Sequence, residues 1–342
     1  MPVTLQEIAA ITGFCRATVD KVVHNRPGVR ENTRRRILQV MADLEYKPNI
    51  AGRALKMQRK KLTLMAALLK TDSFAPIVEG IKEQLKNYES LGLAIDIQGV
   101  DFPDVESQAK ILRECAERDI VGLILTPLND KRIVAAVNRL VEKQIPVITV
   151  NNDLPGSARS CFVGQNLRQA GQVAARLVAK FIAGRGSVAV FVGSRDVLWD
   201  KLRLEGFAEL LQDKYPEIAI AKIINTGEDP VRTYQETAKL LQEHPEINAI
   251  YSATGRAQEV GRAVSALGFA GAITIVCFDL YDPIRDLVRR GVIDCAIGQD
   301  LRRQGALPVQ LFFQHLYYNE KLPQGEIFTP IDIRIAENID SP

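Results

Sequence analysis

Apolar positions between Val3 and Leu44 recur at helical spacing. From Leu62 onward they come as short runs separated by amphipathic stretches. In the first region Leu5, Ile8, Ala9 and Ile11 share one face, and Thr4 with Glu7 makes a capping box ahead of them. Gly13 can supply the left-handed turn that ends this helix. A second helix is expected from about Arg16 to His24, with Val19, Val22 and Val23 inward. Pro27-Gly28 breaks the chain, and a third helix is expected from about Glu31 to Leu44, with Ile37, Met41 and Leu44 at i, i+4 and i+7. Two helices joined by a tight Gly-containing turn make a helix-turn-helix unit.

The later pattern is different. Strand-like runs occur at 62–69, 93–100, 121–127 and 146–153, with helical stretches near 75–90, 105–118 and 129–143 between them. A strong amphipathic helix is expected over 163–184. It is followed by strands at 187–194, 218–227, 249–254 and 273–280 and by helices at about 198–212, 231–243, 256–267 and 281–290. A run at 293–300, a long helix at 301–320 and a strand at 327–335 end the chain. Short buried strands alternating with helices of this length mean βαβ units and parallel sheets. The similar order in the two halves predicts two doubly wound lobes that the chain crosses more than once.

VTLQEIAAITG, ATVDKVVHNRPGVRENTRRRI and LEYKPNIAGRAL resemble, in order and spacing, the DNA-binding headpiece of the lactose-repressor (LacI) family. The rest of the chain resembles that family's effector domain, a two-lobed α/β domain of the ribose-binding, periplasmic-binding-protein type I kind with two doubly wound parallel sheets. The resemblance implies an all-α helix-turn-helix headpiece at 1–47 and a hinge helix and linker at 48–61. An effector-binding and dimerisation domain then spans 62–342. Its first lobe is expected at about 62–160 and 292–322, and its second at about 162–290 and 324–342.

The second helix would enter the major groove by its N-terminal end, placing Arg16, Ala17 and Lys21 at base edges. Arg16 can pair bidentately with guanine, while Ala17 offers an apolar contact. Thr4, Thr18, Asn25, Thr33 and Tyr46 match family positions that touch phosphates, and His24 ends the helix facing DNA or solvent. In the hinge, Asn49, Arg53 and Leu55 are the implied DNA contacts, Leu55 as a minor-groove wedge. Two positions depart from the family: Cys15 stands where a Ser or Thr usually caps the second helix, and Arg30 stands before the third.

Ligands of open α/β sheets bind beyond the carboxyl ends of the strands. That rule selects Asp72, Ser73 and Phe74; Asn151, Asn152 and Asp153; Asp196, Trp199 and Arg203; Thr254; Asp279; and Gln299. Carboxylates, amides, an arginine and aromatic faces suit a polyhydroxy, sugar-like effector. Plainer roles stay open: Asn151 and Asn152 as turn formers, Asp279 as a helix cap, Trp199 as a core or interface aromatic. Arg256, after Thr254-Gly255, points toward a ligand with some negative charge.

Charge sharpens the picture. Residues 1–61 hold 13 Lys+Arg against 5 Asp+Glu, and residues 62–342 hold 31 against 36. A basic headpiece on an acidic body is the footprint of a nucleic-acid binder with a separate second domain. No secretory leader and no membrane-spanning run are read, and five scattered cysteines without a CxxC pair suit reduced thiols in the cytoplasm. Cys277 and Cys295 lie in apolar runs and are expected to be buried. No nucleophile elbow, phosphate loop, dinucleotide fingerprint or metal-ligand spacing is found, so neither a cofactor nor an enzyme is expected. The expected protein is a homodimeric transcription regulator, most simply a repressor of carbohydrate genes. It would bind a pseudo-palindromic DNA operator under control of a small sugar-like effector. The alternatives are a sugar-binding protein of a transporter and a sugar-active α/β enzyme.

Overall fold

A computed structural model describes residues 3–23, 27–44, 46, 61–193 and 198–341. His24, Asn25, Asn49, Arg53, Leu55 and Asp196 lie outside these residues. The N-terminal unit is three helices: α1 (Leu5–Thr12), α2 (Arg16–Val23) and α3 (Glu31–Asp43). The capping box forms: Thr4 N–H donates to Glu7 Oε2 at 2.7 Å, and Glu7 N–H to Thr4 Oγ1 at 3.3 Å. Gly13 closes α1 at φ 75°. Ile8, Val19, Val22 and Ile37 make a small buried core, with Leu5, Val23, Met41 and Leu44 packed around it.

The remaining chain builds two six-stranded sheets. The first is assembled from β1 (Leu62–Lys70), β2 (Leu93–Asp101), β3 (Gly122–Leu125), β4 (Val147–Val150), β5 (Cys161–Gln165) and β11 (Gly325–Thr329), in the order β11-β5-β4-β3-β1-β2. The second uses β6 (Gly186–Val192), β7 (Ile218–Asn225), β8 (Ile247–Ser252), β9 (Thr274–Phe278), β10 (Cys295–Gly298) and β12 (Asp332–Arg334), in the order β12-β10-β9-β8-β6-β7. Every pairing is parallel except β10 with β12. β3 and β4 are buried along their whole length, as parallel strands covered on both faces must be.

Helices cover both faces. On the first sheet, α4 (Phe74–Lys86) and α12 (Leu301–Phe313) pack on one side, and α5 (Val105–Cys115) and α6 (Lys131–Glu142) on the other. On the second sheet, α7 (Leu167–Phe181) and α8 (Leu198–Lys214) oppose α9 (Pro230–Glu243), α10 (Ala257–Ala266) and α11 (Asp282–Arg289). Cys277 and Cys295 are buried in the second lobe.

The crossings between lobes differ from the expected positions. Residues 161–165 are a fully buried strand of the first sheet, and the helix begins only at Leu167. β10 joins the second sheet, so the chain returns to the first lobe after Gly298, not before Val292. The expected strand at 327–335 is two strands in different sheets, divided at Pro330, where a ladder cannot take an N–H from the ring.

Each lobe also contains one helix pair brought together by reciprocal glycines. A Cβ on Gly80 would lie 1.9 Å from Arg302 O, and one on Gly305 2.1 Å from Ile77 O, where α4 crosses α12. In the second lobe a Cβ on Gly171 would lie 2.1 Å from Arg203 O, and one on Gly206 2.0 Å from Arg168 O, where α7 crosses α8. Backbones this close leave no volume for a methyl group. Gly206→Ala should therefore destabilise the protein by about 1–3 kcal/mol, the usual cost of overpacking. Chemical unfolding monitored by circular dichroism measures it, and an unchanged midpoint would show that the helices separate freely.

Candidate functional site

The N-terminal unit presents Arg16, Ala17 and Lys21 exposed along α2. Thr4 is tied into the capping box, and Thr18 meets the Sγ of Cys15 at 3.1 Å. That contact, with the Thr18 backbone, holds the Cys15 thiol below its ordinary pKa. Thr33 is half-buried, and Tyr46 packs against the small core, where burial pushes its phenol up. Arg30 makes no side-chain cap on α3.

The larger site lies between the lobes. A cavity of about 240 Å³ opens where the carboxyl ends of the two sheets face one another. From the first lobe it is lined by Asp72, Ser73, Phe102, Thr126 and Asn151. From the second lobe come Trp199, Arg203, Glu228, Arg256 and Asp279, with Gln299 at the crossing. The amide of Asn151 donates to Gln299 Oε1 and to Gln304 Oε1, both at 3.3 Å, and Gln299 Nε2 donates to Asp279 Oδ1 at 2.6 Å. Ser73 Oγ reaches Asn151 Oδ1 at 3.4 Å.

Arg203 is almost fully buried. Its guanidinium stacks 3.6 Å over the Phe278 ring and donates through Nη1 to Ala253 O at 3.1 Å. Its Nε finds no hydrogen-bond partner among the described residues, a costly condition for a buried donor and a suitable one for a ligand oxygen. Trp199, on the first turn of α8, reaches across the cleft to Phe102 of the first lobe, with ring centres 5.7 Å apart. Arg256 sits between two carboxylates. Glu228 Oε2 is 3.4 Å from its Nε, and Asp72 Oδ2, from the other lobe, is 3.8 Å from its Nη1. Burial pushes the carboxyls of Glu228 and Asp72 up, against the pull of Arg256 and, for Glu228, of the Thr254 hydroxyl.

Of the cleft residues singled out in the sequence, Asp72, Ser73, Asn151, Trp199, Arg203, Arg256, Asp279 and Gln299 line the cavity together. Four more stand apart from it. Phe74 packs on the core of the first lobe. Asn152 is buried with its amide on Pro127 O and Asn129 Oδ1, so it builds the turn. Asp153 pairs with Arg159 at 2.5 Å and accepts from Thr149. Thr254 lies one layer back and donates to Glu228 Oε1 at 2.5 Å. Glu228 and Phe102 were not singled out, although they follow strand runs ending at Gly227 and Val100, where the same strand-end rule would have reached them.

Comparison with known proteins fits this geometry. Residues 65–320 match the periplasmic binding protein domain, and residues 4–49 match the lacI family of bacterial regulatory proteins. The chain is 23% identical over 246 residues to the HTH-type transcriptional regulator DegA of Bacillus subtilis (strain 168), covering 71% of each. It is 25% identical over 290 residues to the HTH-type transcriptional regulator MalR of Clostridium butyricum, covering 78% of this chain and 82% of the relative. Its fold is similar to that of an ABC transporter solute-binding protein from Burkholderia graminis C4D1M solved with D-arabinose. That likeness has a TM-score of 0.78 at 22% identity, over 83% of this chain and 98% of that one. Among the described residues no helix is long and apolar enough to cross a membrane.

Two outcomes follow from the cleft. Trp199 is the chain's single tryptophan, so its emission reports the contact with Phe102. Phe102→Ala should shift that emission to the red; an unchanged spectrum would mean the ring does not shield it. The second concerns pH. Glu228 ionises above its ordinary value of 4.5 in the folded protein. Its contribution to stability is thus full below that value and is lost as pH rises through the folded pKa. Glu228→Gln should be the more thermally stable form at neutral pH and lose this advantage below pH 4.5. Melting curves of both proteins across that range check the sign.

Proposed function

The chain belongs to the lacI family of bacterial regulatory proteins and carries its periplasmic binding protein domain, and on that basis we propose a transcription regulator that binds DNA sequence-specifically and takes a small sugar as effector. The observation that carries this reading is the pairing, in one chain, of a three-helix unit exposing Arg16 and Lys21 with an interlobe cleft lined by amides, carboxylates and Arg203. Arg16, Ala17 and Lys21 are the base-reading residues, and Thr4, Thr18, Asn25, Thr33 and Tyr46 position the headpiece on phosphates. His24, Asn49, Arg53 and Leu55 extend the DNA contacts by family resemblance, with 1–47 as headpiece, 48–61 as hinge and 62–342 as effector domain. MalR and DegA are named as transcriptional regulators, and control of carbohydrate genes by repression is the simplest reading for this chain.

In the cleft, Asn151, Asp279 and Gln299 bracket hydroxyls, Arg203 donates to a ring or hydroxyl oxygen, and Trp199 covers an apolar sugar face. The protein acts as a homodimer whose paired headpieces read a pseudo-palindromic operator. Two features support the dimer. β2 and β7 are edge strands of their sheets, and α9, which follows β7, exposes Val231 and Tyr234. The effector works by binding one arrangement of the lobes better than the other.

A protein lacking residues 1–56 should select no sequence from a random duplex library yet keep its fluorescence response to sugars. Sequence selection by the truncated protein would remove the headpiece from its role. In the full chain, Leu55→Ala should weaken the selected site far more than random DNA. Equal loss on both would assign Leu55 a general structural role.

A further inference from the structure

We propose that Glu228 is the charge filter of the effector cleft: by occupying Arg256 it makes the cleft accept an uncharged sugar and refuse sugar acids and sugar phosphates. This rests on the sugar-binding reading above and adds the class of sugar. Read alone, Thr254-Gly255-Arg256 at the end of β8 looks like an anion subsite. The structure turns it the other way. The guanidinium of Arg256 forms ion pairs with two carboxylates, Glu228 from its own lobe at 3.4 Å and Asp72 from the facing lobe at 3.8 Å, while its Nε makes no hydrogen bond among the described residues. An incoming anion would have to sit beside both.

Glu228 is held in this place by several independent features. Its backbone is left-handed at φ 58°, which a residue with this side chain rarely adopts. Two other cleft residues at strand ends, Asn151 at φ 64° and Asp279 at φ 70°, share that conformation. Such strain collects where a site needs a side chain aimed in one direction. The carboxylate accepts the Thr254 hydroxyl at 2.5 Å and rests against Gly193, where a Cβ would lie 2.1 Å from Oε1. The position of the carboxylate is therefore built by its neighbours.

The other charges point the same way. The cavity is lined by the carboxylates Asp72, Glu228 and Asp279 against the guanidinium groups of Arg203 and Arg256. Lys70, also at the rim, pairs with Asp101 at 3.0 Å. Arg203 stacks on Phe278 and commits Nη1 to Ala253 O, which leaves its buried Nε to donate to a ligand hydroxyl or ring oxygen. With Arg256 and Lys70 already paired to carboxylates at the cleft, a further negative charge gains little there, and a neutral polyol is not opposed.

The test is a binding panel read by Trp199 fluorescence and calorimetry. It pairs neutral aldopentoses and aldohexoses with the corresponding uronic acids and 6-phosphates. The wild-type protein should respond saturably to at least one neutral sugar and bind that sugar's acid and phosphate at least about tenfold more weakly. Glu228→Gln frees Arg256 and should recover that loss for the anionic forms, with a gain that shrinks as salt is raised, while the neutral sugar changes less. Asp72→Asn relieves the same guanidinium from the other lobe and should show a smaller gain, which keeps the test open should Glu228→Gln fail to fold. Wild-type protein that binds an acid or phosphate more tightly than the neutral parent would overturn the filter and leave the sugar-binding reading standing. So would variants whose preference among the paired sugars matches the wild type. Silence toward every sugar, neutral or anionic, would remove the sugar-binding reading and the filter with it.

Discussion

Three passages of the chain between the lobes, all at one edge, determine what the rest of the effector domain can do. They run from Gln165 to Leu167, from Gly298 to Leu301 and from Thr329 to Asp332. Buried polar groups tie them to one another. Gln165 Nε2 donates to Gly298 O at 3.0 Å, Gln304 Nε2 to Gln299 O at 2.7 Å, and Thr329 Oγ1 to the same carbonyl at 2.9 Å. A buried amide that lost its partner would cost about 1–3 kcal/mol, so the three passages stay together. Gln304 also accepts from Asn151, which lines the cleft, so the groups that join the three passages and a group that lines the cleft form one network.

Rigidity behind the cleft comes from a second constraint. Where α7 and α8 cross through Gly171 and Gly206, the backbone of Arg203 itself is the contact point. The helix that carries Arg203 cannot slide without a clash, so the guanidinium is delivered to Phe278 with little freedom. At the strand ends the left-handed residues do the same work by a different route. Asn and Asp tolerate that conformation more readily than Glu, so of these three cleft positions Glu228 carries the most backbone strain.

The elements of this fold were legible because parallel strands buried on both faces leave continuous apolar runs, and their covering helices leave a clear stripe. The sheet to which a strand belongs was less legible. CFVGQ and CAIG are apolar runs like the others, and their sheet membership is decided by pairing with distant strands. The helix expected over 163–184 takes in residues 163–165 of this strand, since nothing local separates them except Asn166, which caps the helix. In the cleft, the strand-end rule reached Asn151, Asp279 and Gln299. It could not tell Asn151 from Asn152, because one left-handed φ turns the first inward and sends the second to Pro127. Arg256 was visible but its neutralisation was not, since Asp72 and Glu228 lie far from it in sequence and meet it only when both lobes are folded.

The way the cleft draws on both lobes bears on control. A ligand with equal affinity for two arrangements shifts nothing, and moving a population from 1:99 to 99:1 takes roughly a ten-thousandfold difference in affinity. A ligand held by one lobe alone could not supply that difference. Here Phe102 meets Trp199, Asp72 meets Arg256, and Asn151 meets Gln299, each pair joining groups on either side of the cleft or at its crossing. On the proposed function, a sugar placed among them would bind fully only while the lobes face one another in this geometry. The charge division along the chain completes the logic. With 31 Lys+Arg against 36 Asp+Glu beyond residue 61, the body gives no net attraction to DNA. On the proposed function, affinity for the duplex would rest on the 13 basic residues before it, and the effector would have only to change how those residues are presented.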